Sequence, residues 1–202
     1  SLHDALPIWN ETVTDTLELA MTNYIKNKWG FYFGTGYTMS SLSGITGYLG
    51  GVVANVDLQL SYTLGLKKSD NVYIYTFDSS TGHELQSVNQ YRMNTMAIRI
   101  GYQFRPIPRM GLTPQVGFMQ QMLTAKTTGG SGKYADGARA SSLTVGLKVL
   151  GVPVKHLYLF LTPEYAIPLK RDDTFRQMAG AADFSAGGFS VSAGILVNFG
   201  NK

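Results

Sequence analysis

Cysteine is absent from this 202-residue sequence, charged residues are few, and long apolar runs are missing. Without cysteine the chain cannot form disulfides or thiolate metal sites. Charged residues make up only 15% of the sequence, against about 25% in a typical soluble domain. No run of 18 or more apolar residues occurs, which excludes an ordinary membrane-spanning helix. The net charge is only +4 and the basic residues are scattered, so nucleic-acid binding is not indicated.

Aromatic residues and glycine are plentiful, with 12 Tyr, 10 Phe and 23 Gly, yet the mean hydropathy is −0.02. Such a composition can bury apolar surface, which excludes a disordered chain. Apolar residues alternate with polar or small ones, most clearly from Ala54 to Leu66. A period of two is typical of a β-strand with one apolar face, and it would scatter both residue classes around a helix.

Eight segments follow this pattern, and most are 8 to 13 residues long. A membrane-spanning strand needs about 9 to 11 residues, whereas strands of soluble proteins usually have about 5 to 6. The predicted strands are 29–38, 54–66, 71–78, 95–104, 112–118, 142–149, 158–167 and 189–199.

The connections between these segments alternate between long and short. We predict long loops at 40–50, 79–91, 124–140 and 170–187, and short turns at 67–70, 105–111 and 151–156. Short turns at one end and long loops at the other are the anatomy of outer-membrane barrels. The sequence therefore predicts an all-β fold, an eight-stranded antiparallel up-and-down transmembrane β-barrel.

The apolar face is expected to point outward, towards lipid. The strands are long, one face is almost free of charge, and aromatic residues near strand ends are suited to interfacial girdles. Those aromatics are Trp29, Tyr62, Tyr102, Phe104, Tyr165 and Phe199. A soluble ligand-binding barrel with its apolar face inside is the alternative.

Four charged residues fall on the polar, inward face. They are Asp57, Arg99, Lys148 and Glu164. Eight strands leave a lumen only wide enough for side chains, and unpaired buried charges are costly. We expect the two acids and two bases to pair as a structural ion-pair core; a gated ion path through a narrow pore is the alternative.

The final segment resembles the C-terminal targeting signal of outer-membrane proteins. Ser192, Gly194, Val197 and Phe199 occupy its polar, glycine, apolar and aromatic positions, although Gly200-Asn201-Lys202 follow the aromatic residue. With seven strands before it, this segment makes residues 29–199 similar to the small OmpA-like and OmpX-like barrels. The resemblance implies a bacterial outer-membrane location, insertion by the outer-membrane assembly machinery, and contact with the lipid bilayer and lipopolysaccharide.

The remaining residues divide the chain further. Residues 1–8 match nothing downstream and are interpreted as a read-through or cloning scar. Residues 9–28 are interpreted as a periplasmic linker or the tail of an upstream domain, and 200–202 as a C-terminal tail.

The sequence holds no phosphate loop, zinc motif or nucleotide fingerprint, so we predict no cofactor or metal. His83, near Ser79, Ser80, Asp78 and Glu84, is the main candidate for catalysis, but a base in a loop is not held against a nucleophile. His156 and the pair Asp172-Asp173 are interpreted as turn residues. We predict a non-enzymatic membrane anchor, envelope structural protein or surface scaffold; an outer-membrane enzyme acting on lipid A or peptides is the alternative.

Overall fold

The computed structural model describes residues 29–78, 82–107, 109–127 and 133–200. The interpretations of residues 1–8 and 9–28 lie outside these ranges. The described elements, in chain order, are β1 (Trp29–Met39), β2 (Gly44–Val53), β3 (Val56–Gly65), β4 (Val72–Asp78), β5 (Gly82–Tyr102), β6 (Phe104–Ile107), β7 (Met110–Thr127), β8 (Lys133–Val154), β9 (Leu157–Arg171), α1 (Asp173–Ala181) and β10 (Gly188–Gly200).

Eight of these strands close into an antiparallel barrel. The ring runs β1-β2-β3-β5-β7-β8-β9-β10, and β10 pairs with β1 to complete it. All backbone groups along a closed ring can pair with neighbours, which is what a bilayer requires of a sheet. The predicted fold class is therefore confirmed.

The barrel has two distinct ends. Two-residue turns, Ala54-Asn55 and Lys155-His156, lie at the short-turn end together with residues 103–107 and Arg109. Positive φ angles at Ala54, Asn55 and His156 match the tight hairpin turns that suit twisted strands. The opposite end, called the loop end, carries residues 40–43 and helix α1.

The alternation along each strand sorts side chains by polarity, with apolar groups outside. On β3, Leu58, Leu60 and Tyr62 are exposed, while Gln59 and Ser61 are buried in the lumen. The same holds for the six aromatics assigned to the girdles, all of which are exposed. A continuous apolar exterior around a polar interior is the arrangement of a membrane barrel, and the reverse of a soluble one.

Two strand assignments were wrong. Residues 40–50 were predicted as a loop, but Gly44–Val53 forms β2 and pairs over ten residues with both β1 and β3. The four glycines of β2 weaken the apolar alternation, which is why the sequence did not indicate a strand there. The strand forms all the same, because the backbone hydrogen bonds of a β-ladder need no side chain. Segment 71–78 does form strand β4, but it pairs only with β5 beyond the ring. The total of eight barrel strands was right because these two errors cancel.

Several connections were also wrong. Residues 67–70 lie at the loop end instead of forming a short turn, and Ala54-Asn55 is a turn instead of the start of a strand. The loops predicted at 79–91 and 124–140 are largely strand, since β5, β7 and β8 continue past the ring. Long loops would lose these ladder bonds to water, whereas strand extension keeps them.

Helix α1 packs against the strand extensions at the loop end of the barrel, within the segment predicted as the loop 170–187. Its buried residues Phe175, Met178 and Ala179 pack against Val72, Val88 and other residues of the strand extensions. We call this assembly of β4, α1 and the outer parts of β5, β7 and β8 the cap. Within the described ranges, no helix has the length and apolarity that a bilayer crossing requires.

Candidate functional site: the barrel lumen and its polar pocket

Lys148 and Asp57 form an ion pair in the lumen, on its short-turn side. The Lys148 Nζ also donates to the Tyr32 hydroxyl at 3.1 Å, and that hydroxyl donates to Asp57 Oδ1 at 2.6 Å. Lys148 and Asp57 are only 1% and 3% exposed. Each charge therefore meets its partner in a water-poor setting, and Tyr32 completes a three-membered network that the sequence analysis did not include.

Arg99 and Glu164 form the second ion pair, closer to the loop end. Arg99 donates from Nε at 2.5 Å and from Nη2 at 2.8 Å to the two Glu164 oxygens, and from Nη1 to the Ser61 hydroxyl at 2.6 Å. Such a bidentate pair is the strongest form of carboxylate recognition by arginine. The structure thus brings together all four charged residues selected from the sequence, acid to base.

Both ion pairs cross the lumen, because β3 and β8, like β5 and β9, are three positions apart in the ring. An apolar and aromatic cluster, which includes Tyr48, Tyr158 and Phe160, also fills the lumen and extends towards the short-turn end. The Tyr48 and Phe160 rings meet edge to face at 4.9 Å. The cavity at this end is only about 20 Å³, so the described side chains block the lumen.

A larger cavity of about 230 Å³ lies above Arg99 and Glu164, on the loop-end side. Hydroxyl groups form much of its wall, joined as a chain from Ser192 through Thr38 and Thr46 to Thr63 at 2.9, 2.6 and 2.8 Å. We call this space the polar pocket. The sequence signal for this pocket is the presence of Ser and Thr at inward positions of neighbouring strands.

The targeting-signal residues lie on β10, the strand that closes the ring. Ser192 faces the polar pocket, and Val197 and Phe199 lie on the outer side of the strand, where the Phe199 ring stacks on Phe33 at 5.5 Å. Gly194 is in register with Gly36 on β1, and a Cβ there would collide with the Thr35 carbonyl oxygen and the Phe160 ring. Close strand approach therefore requires glycine at this motif position.

The two histidine candidates lie in different parts of the fold. His83 belongs by its backbone to β5, in register with Phe77, instead of lying in a loop; its neighbours Ser79 and Ser80 lie outside the described residues. His156 donates from Nδ1 to the Asn198 carbonyl at 2.8 Å, which holds a turn. Asp172 accepts the Arg139 backbone N–H at 2.8 Å beside α1. The described residues contain no cluster of three or more metal-ligating side chains.

No protein-family model matches the sequence, and no curated protein matches it either. Solved structures do resemble it. The N-terminal β-barrel domain of Pseudomonas aeruginosa OprF has a TM-score of 0.54 at 14% identity, covering 86% of this chain and 98% of that one. A major outer membrane protein from Thermus thermophilus has a TM-score of 0.53 at 12% identity, covering 85% and 99%.

At these identities the likeness is one of fold. Nearly the whole of each neighbour is matched, so the shared unit is the complete barrel and not a single hairpin. The outward apolar belt independently requires a bilayer around the ring. The chain therefore has the fold of the small eight-stranded outer-membrane barrels, and the predicted outer-membrane location is confirmed.

Proposed function

We propose that the protein is a non-enzymatic outer-membrane barrel that anchors the cap at the cell surface as a scaffold for surface interaction. One observation carries this proposal: the lumen is crossed by two ion pairs and contains a cluster of aromatic residues, and the cavity on its short-turn side is only about 20 Å³. A pore needs a continuous aqueous path, and this interior supports a rigid anchor instead.

The cap supports the scaffold role. It has its own buried cluster, in which Val88, Leu123 and Phe175 have no exposed surface. Loops on a rigid framework are where binding functions usually lie. Residues at this end are thus held above the membrane in a fixed arrangement.

Planar-bilayer recordings test the anchor role. We expect the purified, folded protein to show no stable conductance steps, and Arg99→Ala to show none either, because the Lys148–Asp57 pair and the aromatic cluster still block the lumen. Steady single-channel currents from the unchanged protein that alter in Arg99→Ala would overturn the proposal in favour of a narrow pore.

An activity assay tests the non-enzymatic part of the proposal. Turnover of lipid A or peptide by the unchanged protein, lost in His83→Ala, would overturn it.

Two partners belong to this proposal. Phosphate-bearing headgroups, including those of lipopolysaccharide, match the exposed cations Lys126, Arg139 and Lys170 on the loop-end side of the belt. The assembly machinery would recognise β10 through Ser192, Gly194, Val197 and Phe199. Phe199→Ala, which leaves Phe189 on the same strand unchanged, tests the recognition of β10. We expect less of this variant to insert into membranes, while it refolds normally in detergent.

A further inference from the structure

The polar pocket is closed below and approached from the loop end. Its floor is the Arg99–Glu164 pair, and the exposed residues Ser41 and Ser185 lie at its rim, joined by a 3.4 Å hydrogen bond from the Ser41 hydroxyl to the Ser185 carbonyl. A space of about 230 Å³ is below the roughly 300–1,000 Å³ of sites for drug-sized ligands. The pocket can therefore hold one small ring or a few water molecules.

The floor attracts neutral groups. Arg99 and Glu164 neutralise each other, so the pocket offers no net charge to a ligand. Arg99 has five N–H donors, of which three go to Glu164 and Ser61. Two guanidinium donors remain for a ligand oxygen.

The walls require a ligand that both donates and accepts hydrogen bonds. Hydroxyls such as Thr38, Thr46 and Ser192 can do either. The Gln121 side chain lines the same pocket at 6% exposure, and its Oε1 is buried without a donor from the described residues. A buried acceptor left unpaired costs free energy, so this oxygen favours a ligand O–H.

One side of the pocket is apolar. Met93, Met119 and Ala166, on β5, β7 and β9, line it across the ring from the hydroxyl groups of β1, β2, β3 and β10. A ligand with hydroxyls at its edge and C–H groups on its face satisfies both surfaces at once. We propose that the polar pocket binds a neutral, polyhydroxylated ring of monosaccharide size, a function additional to anchoring.

Saturation-transfer NMR on the folded, detergent-solubilised protein tests the site, with glucose, galactose, mannose and N-acetylglucosamine as probes and glucosamine and glucuronate as charged analogues. We expect saturable binding of at least one neutral sugar and weaker binding of both analogues. Gln121→Leu should weaken that binding about tenfold, the effect of one lost hydrogen bond. Gln115→Leu is the matched control, because Gln115 is also a buried glutamine of β7 with an unpartnered amide atom but does not line the pocket.

Ala166→Leu is a second variant, which fills the pocket without adding a polar atom and should abolish binding while heat-modifiable gel mobility shows a folded barrel. Four outcomes overturn the proposal: no neutral sugar binds, the charged analogues bind equally well, Gln121→Leu binds as tightly as the unchanged protein, or Gln115→Leu loses binding as well. None of these outcomes depends on whether the barrel conducts ions. The sugar-binding proposal and the anchor proposal can therefore be disproved independently of each other.

Discussion

At the scale of single residues, the lumen shows what a buried charge needs. Asp57 uses one carboxylate oxygen for Tyr32 and the other for Lys148, so neither is left bare. Replacing a complete buried pair with apolar groups is often tolerated, whereas removing one partner strands the other charge. The lumen should therefore tolerate the loss of both charges far better than the loss of one.

Lys148→Met is expected to destabilise the barrel by about 3–5 kcal/mol, because Asp57 is left charged and buried. The double variant Lys148→Met/Asp57→Leu should recover most of that loss, apart from the cost of the unpaired Tyr32 hydroxyl. Urea unfolding in lipid vesicles measures both. Lys68→Met, which breaks the exposed Lys68–Asp70 pair at 3.1 Å, should cause no measurable change. A double variant as unstable as the single one would contradict this account.

At the scale of elements, strict alternation predicted every ring strand except β2. That strand presents Ile45, Leu49 and Val53 outward, but Gly47 and Gly51 interrupt the pattern. Segment 71–78 has strand character, and only the pairing of β3 with β5 shows that it lies outside the ring. Local periodicity identifies strands; ring membership depends on partners that are distant in sequence.

The site was also predictable only in part, because local periodicity shows which side chains point inward but not which strands face each other. Alternation along each strand predicts which side chains point inward, and it identified all four charged residues of the lumen. Which acid meets which base depends on the ring order, because each pair joins strands three positions apart. Helix α1 had a weaker signal: the i, i+3, i+4 spacing of Phe175, Met178 and Ala179 is typical of a one-sided helix, but nine residues among glycines resemble a loop.

The cap should unfold separately from the barrel. Phe175 has no exposed surface and joins α1 to the strand extensions, with its ring 5.8 Å from that of Phe184. Phe175→Ala removes about 3–5 kcal/mol of packing, which we expect to open the cap. Proteolysis within 172–187 should accelerate while gel mobility stays heat-modifiable; Arg176→Ala, on the exposed side of α1, is the control. Loss of heat-modifiable mobility in Phe175→Ala would show instead that cap and barrel unfold as one unit.

At the scale of the whole molecule, the neutral mean hydropathy of −0.02 is the average of two opposite surfaces. Outward residues are apolar around the ring, and inward residues are polar, small or paired. A water-soluble barrel of the same composition would reverse the two. The apolar outer surface therefore makes the folded barrel stable in a lipid bilayer and not in water.

Leu60→Arg tests that surface directly. Leu60 lies at the middle of β3, level with Leu49 and Ile98, with two further apolar outward residues towards each end. An arginine at bilayer mid-depth costs about 2–4 kcal/mol, falling to about 0–1 near the interface. Val53→Arg, at the short-turn end of β2, is therefore the matched control. Urea unfolding in vesicles should separate the two variants by these amounts. Equal, near-zero changes would mean that water and not lipid surrounds the barrel, because an exposed arginine in water costs the fold almost nothing.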